Sequence, residues 1–137
     1  MFVNLTTQEI IESNQVCNLL ITKTFPAKTA FKLACLSKKL MAIEQIFNEI
    51  KTNTIKKYGQ KDENGNIITQ TLENGQVYIP IAPEYQQKCS DEILEALNQR
   101  FDIIFTPIAI EELDGELLVA EDLIAFYPFI LKEEDSE

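Results

Sequence analysis

The sequence predicts an α+β fold, in which one long central helix and shorter helices pack on a small, mainly antiparallel sheet of about three strands. Residues 27–58 contain neither glycine nor proline, which favours a long helix, and two Asn-Gly pairs follow, which are typical of β-hairpins. No strand–helix–strand unit is repeated, so helices covering one face of an antiparallel sheet fit better than a doubly wound parallel fold.

The chain length of 137 residues, of which 45% are hydrophobic, suits a single domain over residues 1–137. We expect a helical half at residues 1–60 and a second half at residues 61–131 that contains a hairpin, a helix, a strand and a short helix. Residues 132–137 form an acidic tail.

The first two helices have local boundary signals. Thr6 and Glu9 have the spacing of a capping box, which predicts the start of a helix that ends near Thr22. Pro26 suits the first turn of the next helix, and Gly59 is the expected C-terminal cap of that helix after Tyr58. The predicted buried residues are Ile10, Cys17, Leu20 and Ile21 in the first helix, and Leu33, Leu36, Leu40, Ile43, Phe47 and Ile50 in the second.

The long helix would measure about 45 Å at 1.5 Å per residue. We expect part of it to project, bend or pack against a partner, although its apolar seam ends within about three heptads, which favours core packing over a coiled coil.

The remaining elements alternate between strands and helices. Asn74-Gly75 predicts a primed hairpin turn between strands at residues 67–72 and 76–81. Pro83 starts a helix ending near Asn98, and the β-branched and aromatic segment 101–105 predicts a third strand, which Ile108 and Ile110 could extend. An acidic turn at residues 111–116 precedes a short helix from Ala120 to Tyr127, which Pro128 ends.

The net charge of −10 is distributed unevenly. Residues 1–21 carry −2, residues 22–61 carry +7 and residues 62–137 carry −15. Such a dipolar surface could steer a partner, while simple solvated faces are the alternative. The candidate partner surface is therefore the basic face of the long helix and the acidic turn, comprising Lys28, Lys32, Lys38, Lys39, Lys51, Lys56, Lys57, Glu111, Glu112, Asp114 and Glu116.

The residue types disfavour catalysis. Histidine is absent, which removes the commonest general base and nitrogen metal ligand. Cys17, Cys35 and Cys89 are odd in number and flanked by apolar residues, so we expect three buried free thiols. No glycine lies in a phosphate-binding pattern. We expect no enzymatic activity, no cofactor and no metal.

Two acidic segments leave a cation site as an alternative. Asp62, Asn64, Asn66 and Glu73 stand at positions one, three, five and twelve of a calcium loop, but Ile67 replaces the glycine of position six, which favours hairpin-turn chemistry. The carboxylates between residues 111 and 122 could hold magnesium or form an acid/base pair, or they could contact a basic partner; carboxylates this dense are more often solvated surface.

Four segments resemble a family of small proteins of unknown function, encoded by phages and prophages of low-GC Gram-positive bacteria. They are Phe25–Ala34, Lys57–Gly59, Asp62–Asn66 and Leu123–Ile130. These segments are helix boundaries, a turn and a terminal helix, and none is a catalytic signature. The resemblance implies a viral origin, and it implies neither an activity nor site residues.

The expected function is that of a non-catalytic phage accessory or regulatory protein, which binds a protein of the host or the phage in the bacterial cytoplasm. The long helix could also form a homo-oligomer. The alternatives are a minor virion or assembly component, and an acidic nucleic-acid mimic that inhibits a host defence or nucleic-acid enzyme.

Two classes of partner are not expected. Direct nucleic-acid binding is disfavoured because the lysines lack interleaved aromatic residues and arginines. A membrane is disfavoured because no apolar run could span a bilayer and the N-terminus lacks the pattern of a secretory signal.

Overall fold

The computed structural model describes residues 1–113 and 120–131, and these residues confirm the α+β class. The helices are α1 (Thr7–Leu20), α2 (Ala27–Tyr58), α3 (Gln86–Leu97) and α4 (Ala120–Phe126). The strands are β1 (Phe2–Thr6), β2 (Gln70–Thr71), β3 (Val77–Tyr78) and β4 (Arg100–Ile104). Single 3₁₀ turns lie at Pro83–Tyr85, Ile110–Leu113 and Tyr127–Phe129.

The described residues divide into two compact units. The first unit contains Met1–Gln45 and the described residues from Gln99 onward, and the second contains Ile46–Asn98. Helix α2 contributes residues to both units, so each unit is described by itself.

The strands form two separate two-stranded antiparallel sheets, β1–β4 and β2–β3, in place of the single sheet of about three strands that the sequence predicts. The difference arises at β1, which the sequence analysis does not predict as a strand. Its partner β4 lies far along the chain, with Val3 opposite Ile103. A five-residue apolar segment has no local signal for a pairing of this range.

The N-terminus of α1 has the predicted capping box. The Thr6 hydroxyl accepts a hydrogen bond from the Glu9 N–H at 3.2 Å, and the Glu9 carboxylate accepts one from the Thr6 N–H at 3.0 Å. Thr7 N–H donates to the Gln99 carbonyl at 2.8 Å, which continues the β1–β4 ladder into the helix. These bonds fix the direction in which α1 leaves the sheet.

The core of the first unit combines the inner faces of α1 and α2 with the segment that follows β4. Residues from the predicted stripes are buried, whereas Ile21 and Ile50 at the ends of those stripes are 46% and 44% exposed. Phe126 and Phe129 are completely buried, and the Phe129 ring meets Phe105 edge-on at 5.1 Å. The buried members of the predicted stripes are Ile10, Cys17, Leu20, Leu33, Leu36 and Leu40 in this unit, and Phe47 in the second.

The second unit contains the predicted hairpin, but its turn differs from the two-residue primed turn. Leu72 N–H donates to the Gln76 carbonyl at 2.7 Å and Gly75 N–H donates to the Leu72 carbonyl at 2.9 Å, so three residues form the loop. Gly75 takes the left-handed conformation, with φ of 87°. A three-residue loop that ends on a left-handed glycine is the next most common hairpin connection.

The loop around Gly65 repeats this arrangement. Asp62 Oδ1 accepts hydrogen bonds from the Asn64 and Asn66 N–H groups at 2.9 and 3.0 Å. Gly65 has a φ of 81°. Asp62 therefore stabilises a turn through its own backbone neighbours, as the hairpin interpretation expects.

Gly59 directly follows α2, as predicted, but it is not a left-handed cap. A glycine suits this position because there is no space for a side chain. Its φ lies outside the left-handed region, and a Cβ built on it would lie 2.5 Å from Ile79 Cγ2 and 3.0 Å from the Ile55 carbonyl oxygen. Gly59 forms a β-bridge with Ile81. The absence of a side chain allows this close approach.

Candidate partner-binding groove

A groove of about 750 Å³ lies between α1 and α4 in the first unit. Both walls are helical, so a ligand in the groove would contact chiefly their side chains. The lining residues are Glu12, Gln15, Val16 and Leu19 from α1, and Glu121, Asp122, Ile124 and Ala125 from α4.

The two walls are joined by a buried hydrogen bond. Ser13 Oγ lies 2.8 Å from the Ala125 carbonyl and 2.9 Å from the Glu9 carbonyl, and Ser13 is only 1% exposed. Ala125 lies in the last turn of α4, where carbonyls lack intrahelical partners. Ser13 thus supplies a donor that the short helix cannot provide for itself.

The groove exposes apolar side chains on both walls. Ile124 is 75% exposed and Leu19 is 58% exposed, while Val16, which also lines the groove, is 4% exposed. A single exposed apolar residue is ordinary on a protein surface. Two large aliphatic side chains on opposite sides of one concave surface are instead typical of a binding groove.

The polar part of the groove is acidic. Glu12 on α1 faces the solvent, as does Glu121 on α4, and Asp122 is half-buried. Glu12 accepts a long hydrogen bond of 3.5 Å from Gln8 within its own helix. Among the lining residues that the structure describes, none is basic. The groove therefore combines apolar anchors with negatively charged side chains on both walls.

The seven lysines of the predicted partner surface are divided between the two units. Lys28, Lys32, Lys38 and Lys39 belong to the first unit, and Lys51, Lys56 and Lys57 belong to the second. Lys39 donates to the Ile104 carbonyl at the end of β4. Lys32 is half-buried, and the other six lysines are exposed. Part of the basic face is thus occupied by contacts within the protein.

The acidic turn of the prediction is described only as far as residue 113. Glu111 is exposed, whereas Glu112 accepts hydrogen bonds from Lys32 at 3.0 Å, from Thr29 at 3.0 Å and from the Ala109 N–H at 2.8 Å. Asp114 and Glu116 lie outside the described residues. The structure thus brings two predicted surface residues together, as an ion pair inside the first unit.

Hydrogen bonding controls the pKa of Glu112. Burial acts to raise the pKa of this carboxyl, but the hydrogen bonds from Ala109, Lys32 and Thr29, together with the charge of Lys32, outweigh burial and hold the pKa below its ordinary value. Glu112 therefore serves the fold as a charged acceptor.

The second unit contains a cluster of aromatic and charged residues that the sequence did not predict. Tyr58 donates to Glu92 at 2.9 Å, and Lys57 contacts the same carboxylate oxygen at 3.2 Å. The hydrogen bond from Tyr58 is the largest cause of the lowered pKa of Glu92, and the contact with Tyr58, followed by that with Glu92, raises the pKa of Lys57. The Tyr58 and Tyr85 rings lie 5.4 Å apart beside a cavity of about 500 Å³. The contacts of Lys57 and Tyr58 with Glu92 connect α2 to α3.

The cysteines only partly match the prediction of buried thiols. Cys17 and Cys89 are buried, but Cys35 is exposed on α2. Burial raises the pKa of Cys17 to about 11 and also raises the pKa of Cys89. Neither buried thiol is therefore prepared to act as a thiolate nucleophile.

Within residues 1–113 and 120–131, no group of three or more carboxylates or cysteines converges as metal ligands would. In that same part of the chain, none of the helices has the length and hydrophobicity that a membrane span requires. The α1–α4 groove is the feature best suited to hold a ligand.

The groove was not predicted from the sequence. Glu121 and Asp122 were among the carboxylates predicted to hold a cation, form an acid/base pair or contact a basic partner, whereas Glu12, Leu19 and Ile124 were not predicted as site residues. One signal was present in α1: Leu19 is a large apolar residue next to the buried Leu20 but outside the predicted buried stripe, which is typical of an exposed contact residue. That signal could not indicate which element forms the second wall.

No protein-family model, no curated protein and no solved structure matches this chain.

Proposed function

We propose that this chain is a non-catalytic accessory protein of a bacteriophage, which acts in the cytoplasm of the infected bacterium by binding another protein in its α1–α4 groove. The phage origin follows from the sequence resemblance alone. The observation that supports binding is the exposure of Leu19 and Ile124 on facing walls of one concave surface.

Burial of these side chains supplies the driving force. Transfer of one Leu or Ile side chain from water into an apolar contact contributes about 1.5–3 kcal/mol. Two such anchors in the centre of an interface, surrounded by polar groups, match the arrangement in which a few residues contribute most of the binding energy.

The groove is a better partner surface than the lysine-rich face of α2. Lys32 and Lys39 already bind groups within the first unit, and Lys57 binds Glu92 within the second. Exposed lysines on a convex helix also offer only screened charge–charge contacts, which contribute little to affinity.

In-cell photo-crosslinking tests the proposal. A photo-reactive phenylalanine analogue is placed at Ile124 in the groove or at Phe31, which is 73% exposed on α2 and does not line the groove. We expect a discrete crosslinked protein from position 124 and not from position 31, and we expect Leu19→Glu to abolish that product by introducing a charge at the opposite anchor.

Two results would overturn the proposal. Identical products from positions 124 and 31 would indicate unspecific contact. A product from position 124 that persists in full with Leu19→Glu would show that the groove does not select the partner. Circular dichroism of each variant verifies that the protein is folded before crosslinking is compared.

A further inference from the structure

We infer that the occupant of the α1–α4 groove is a cationic amphipathic helix, with lysine or arginine residues on both sides of its apolar stripe. This inference rests on the proposed function and identifies the chemistry of the partner. It is carried by the charges, the apolar anchors and the helical walls of the groove.

The charges require basic groups on both flanks of the ligand. Glu12 lies on one wall, and Glu121 and Asp122 lie on the other. An apolar segment inserted between Leu19 and Ile124 would leave its two edges facing carboxylates. Cationic groups on both edges place opposite charges across each rim, which steers encounter and fixes orientation.

The walls favour a helical ligand over an extended one. An extended peptide gains affinity by adding to a sheet edge, and the helical walls of this groove present no such edge. A helix instead binds through apolar side chains at i, i+3, i+4 and i+7, laid into an apolar groove. The stretch from Glu12 to Leu19 spans roughly 10 Å of α1, which matches about two turns of a bound helix.

The charge of the chain disfavours two other occupants. The sequence of residues 132–137 carries four carboxylates and one lysine, so it is repelled by an acidic groove. A second copy of the chain carries a net charge of −10, which opposes self-association at low salt even though its residues 22–61 carry +7. A foreign cationic helix has neither disadvantage.

Synthetic helical peptides test the inference directly. The probes are a 14-residue leucine–lysine peptide with leucines at helix spacing, of about four turns, and a leucine–glutamate peptide of the same pattern. Fluorescence anisotropy measures their affinity for the full chain at low and at moderate salt. We expect the cationic peptide to bind, to weaken as salt rises, and to bind at least about tenfold more tightly than the anionic peptide.

Matched variants separate the groove from the overall charge. The triple variant Glu12→Gln, Glu121→Gln, Asp122→Asn removes the three groove carboxylates, and the control Glu49→Gln, Glu63→Gln, Glu73→Gln removes three exposed carboxylates elsewhere. Both variants have the same net charge. We expect the groove variant to weaken binding about tenfold and the control to change it less than about twofold. We likewise expect Ile124→Ser to weaken binding about tenfold and Phe31→Ser to leave it unchanged.

Three results would overturn the inference. Equal loss of affinity in both triple variants would indicate unspecific attraction, and equal binding of the anionic peptide would exclude charge recognition. A concentration-dependent dimer that Ile124→Ser abolishes would identify a second copy as the occupant. If the cationic peptide fails to bind while position 124 still crosslinks its partner in cells, the inference fails and the proposed function stands; if only the crosslink fails, the proposed function fails.

Discussion

The Ser13 hydroxyl donates to the Ala125 carbonyl across 2.8 Å and thereby joins α1 to α4. Helix α4 has only seven residues, which is too short to be stable by itself in water. Its position depends on the burial of Phe126 and on this hydrogen bond. The shape of the groove is therefore coupled to one buried hydroxyl.

Replacement of Ser13 by alanine is expected to lower the free energy of unfolding by about 1–3 kcal/mol, because the Ala125 carbonyl loses a buried donor. Urea denaturation measures this change. Ser37→Ala is the control, since Ser37 is also buried but its hydroxyl contacts sulfur atoms, those of Met41 at 3.5 Å and of Cys17, which are weaker hydrogen-bond partners than a carbonyl. A larger loss in Ser37→Ala than in Ser13→Ala would contradict the role assigned to Ser13.

Glu112→Gln is expected to lower the free energy of unfolding by about 1–3 kcal/mol at neutral pH, because three donors lose their charged acceptor. The pKa of Glu112 is lower in the folded than in the unfolded chain, so folding favours the charged form. The contribution is fully present above the unfolded carboxyl pKa of about 4.3 and is lost as pH falls through the folded pKa.

Urea denaturation of wild type and Glu112→Gln between pH 7 and pH 3 measures this dependence. The difference in unfolding free energy between the two proteins should shrink on acidification. The neighbouring exposed residue provides a control, and Glu111→Gln should change stability by less than about 0.5 kcal/mol. A difference that stays constant across the pH range would show that the carboxylate charge is not responsible.

Gly59→Ala is expected to destabilise the protein by about 1–3 kcal/mol, because the new Cβ would lie 2.5 Å from Ile79 Cγ2. Ile79→Ala removes that methyl group, so the double variant should lose less stability than the sum of the single losses. Gly65→Ala is the control. Its Cβ meets nothing within 4 Å and its cost comes from the left-handed φ of 81°, so Ile79→Ala should not relieve it. Additive losses at Gly59 would exclude the steric explanation.

Thiol titration should find one fast-reacting cysteine in the folded protein. Cys35 is exposed, whereas burial shields Cys17 and Cys89 and raises their pKa values, that of Cys17 to about 11. With a disulfide reagent at pH 8, Cys35→Ser should remove the fast phase, and urea should make the remaining two thiols reactive. A fast phase that survives in Cys35→Ser would contradict the described burial.

The sequence predicted the elements whose signals are local. The capping box of Thr6 and Glu9 and the stretch without glycine or proline from Ala27 to Tyr58 each act within neighbouring residues, and both helices begin where expected. The β1–β4 pairing was missed because it joins Phe2–Thr6 to Arg100–Ile104, which are far apart in the sequence. Pairing over that distance depends on tertiary packing, which no local pattern records.

The candidate surface was harder to predict than the fold, because charge counts do not show where a charged group points. Lys32 and Glu112 were both assigned to a partner surface, yet they are 80 residues apart and bind each other. The groove was not predicted for the same reason, since Leu19 and Ile124 become neighbours only when α4 packs against α1. Helical periodicity identifies a buried stripe, and it leaves open which exposed residues share a concave surface.

The account depends most on the claim that a protein partner binds in the α1–α4 groove. The partner is first identified by crosslinking from position 124. Calorimetry then measures the dissociation constant of the purified partner for the wild type, Ile124→Ser and Phe31→Ser. Both substitutions truncate a highly exposed apolar residue, one inside the groove and one on α2. We expect Ile124→Ser to weaken binding at least about tenfold and Phe31→Ser to change it less than about twofold. Weakening by Phe31→Ser with no effect of Ile124→Ser would contradict the claim and would place the partner on α2.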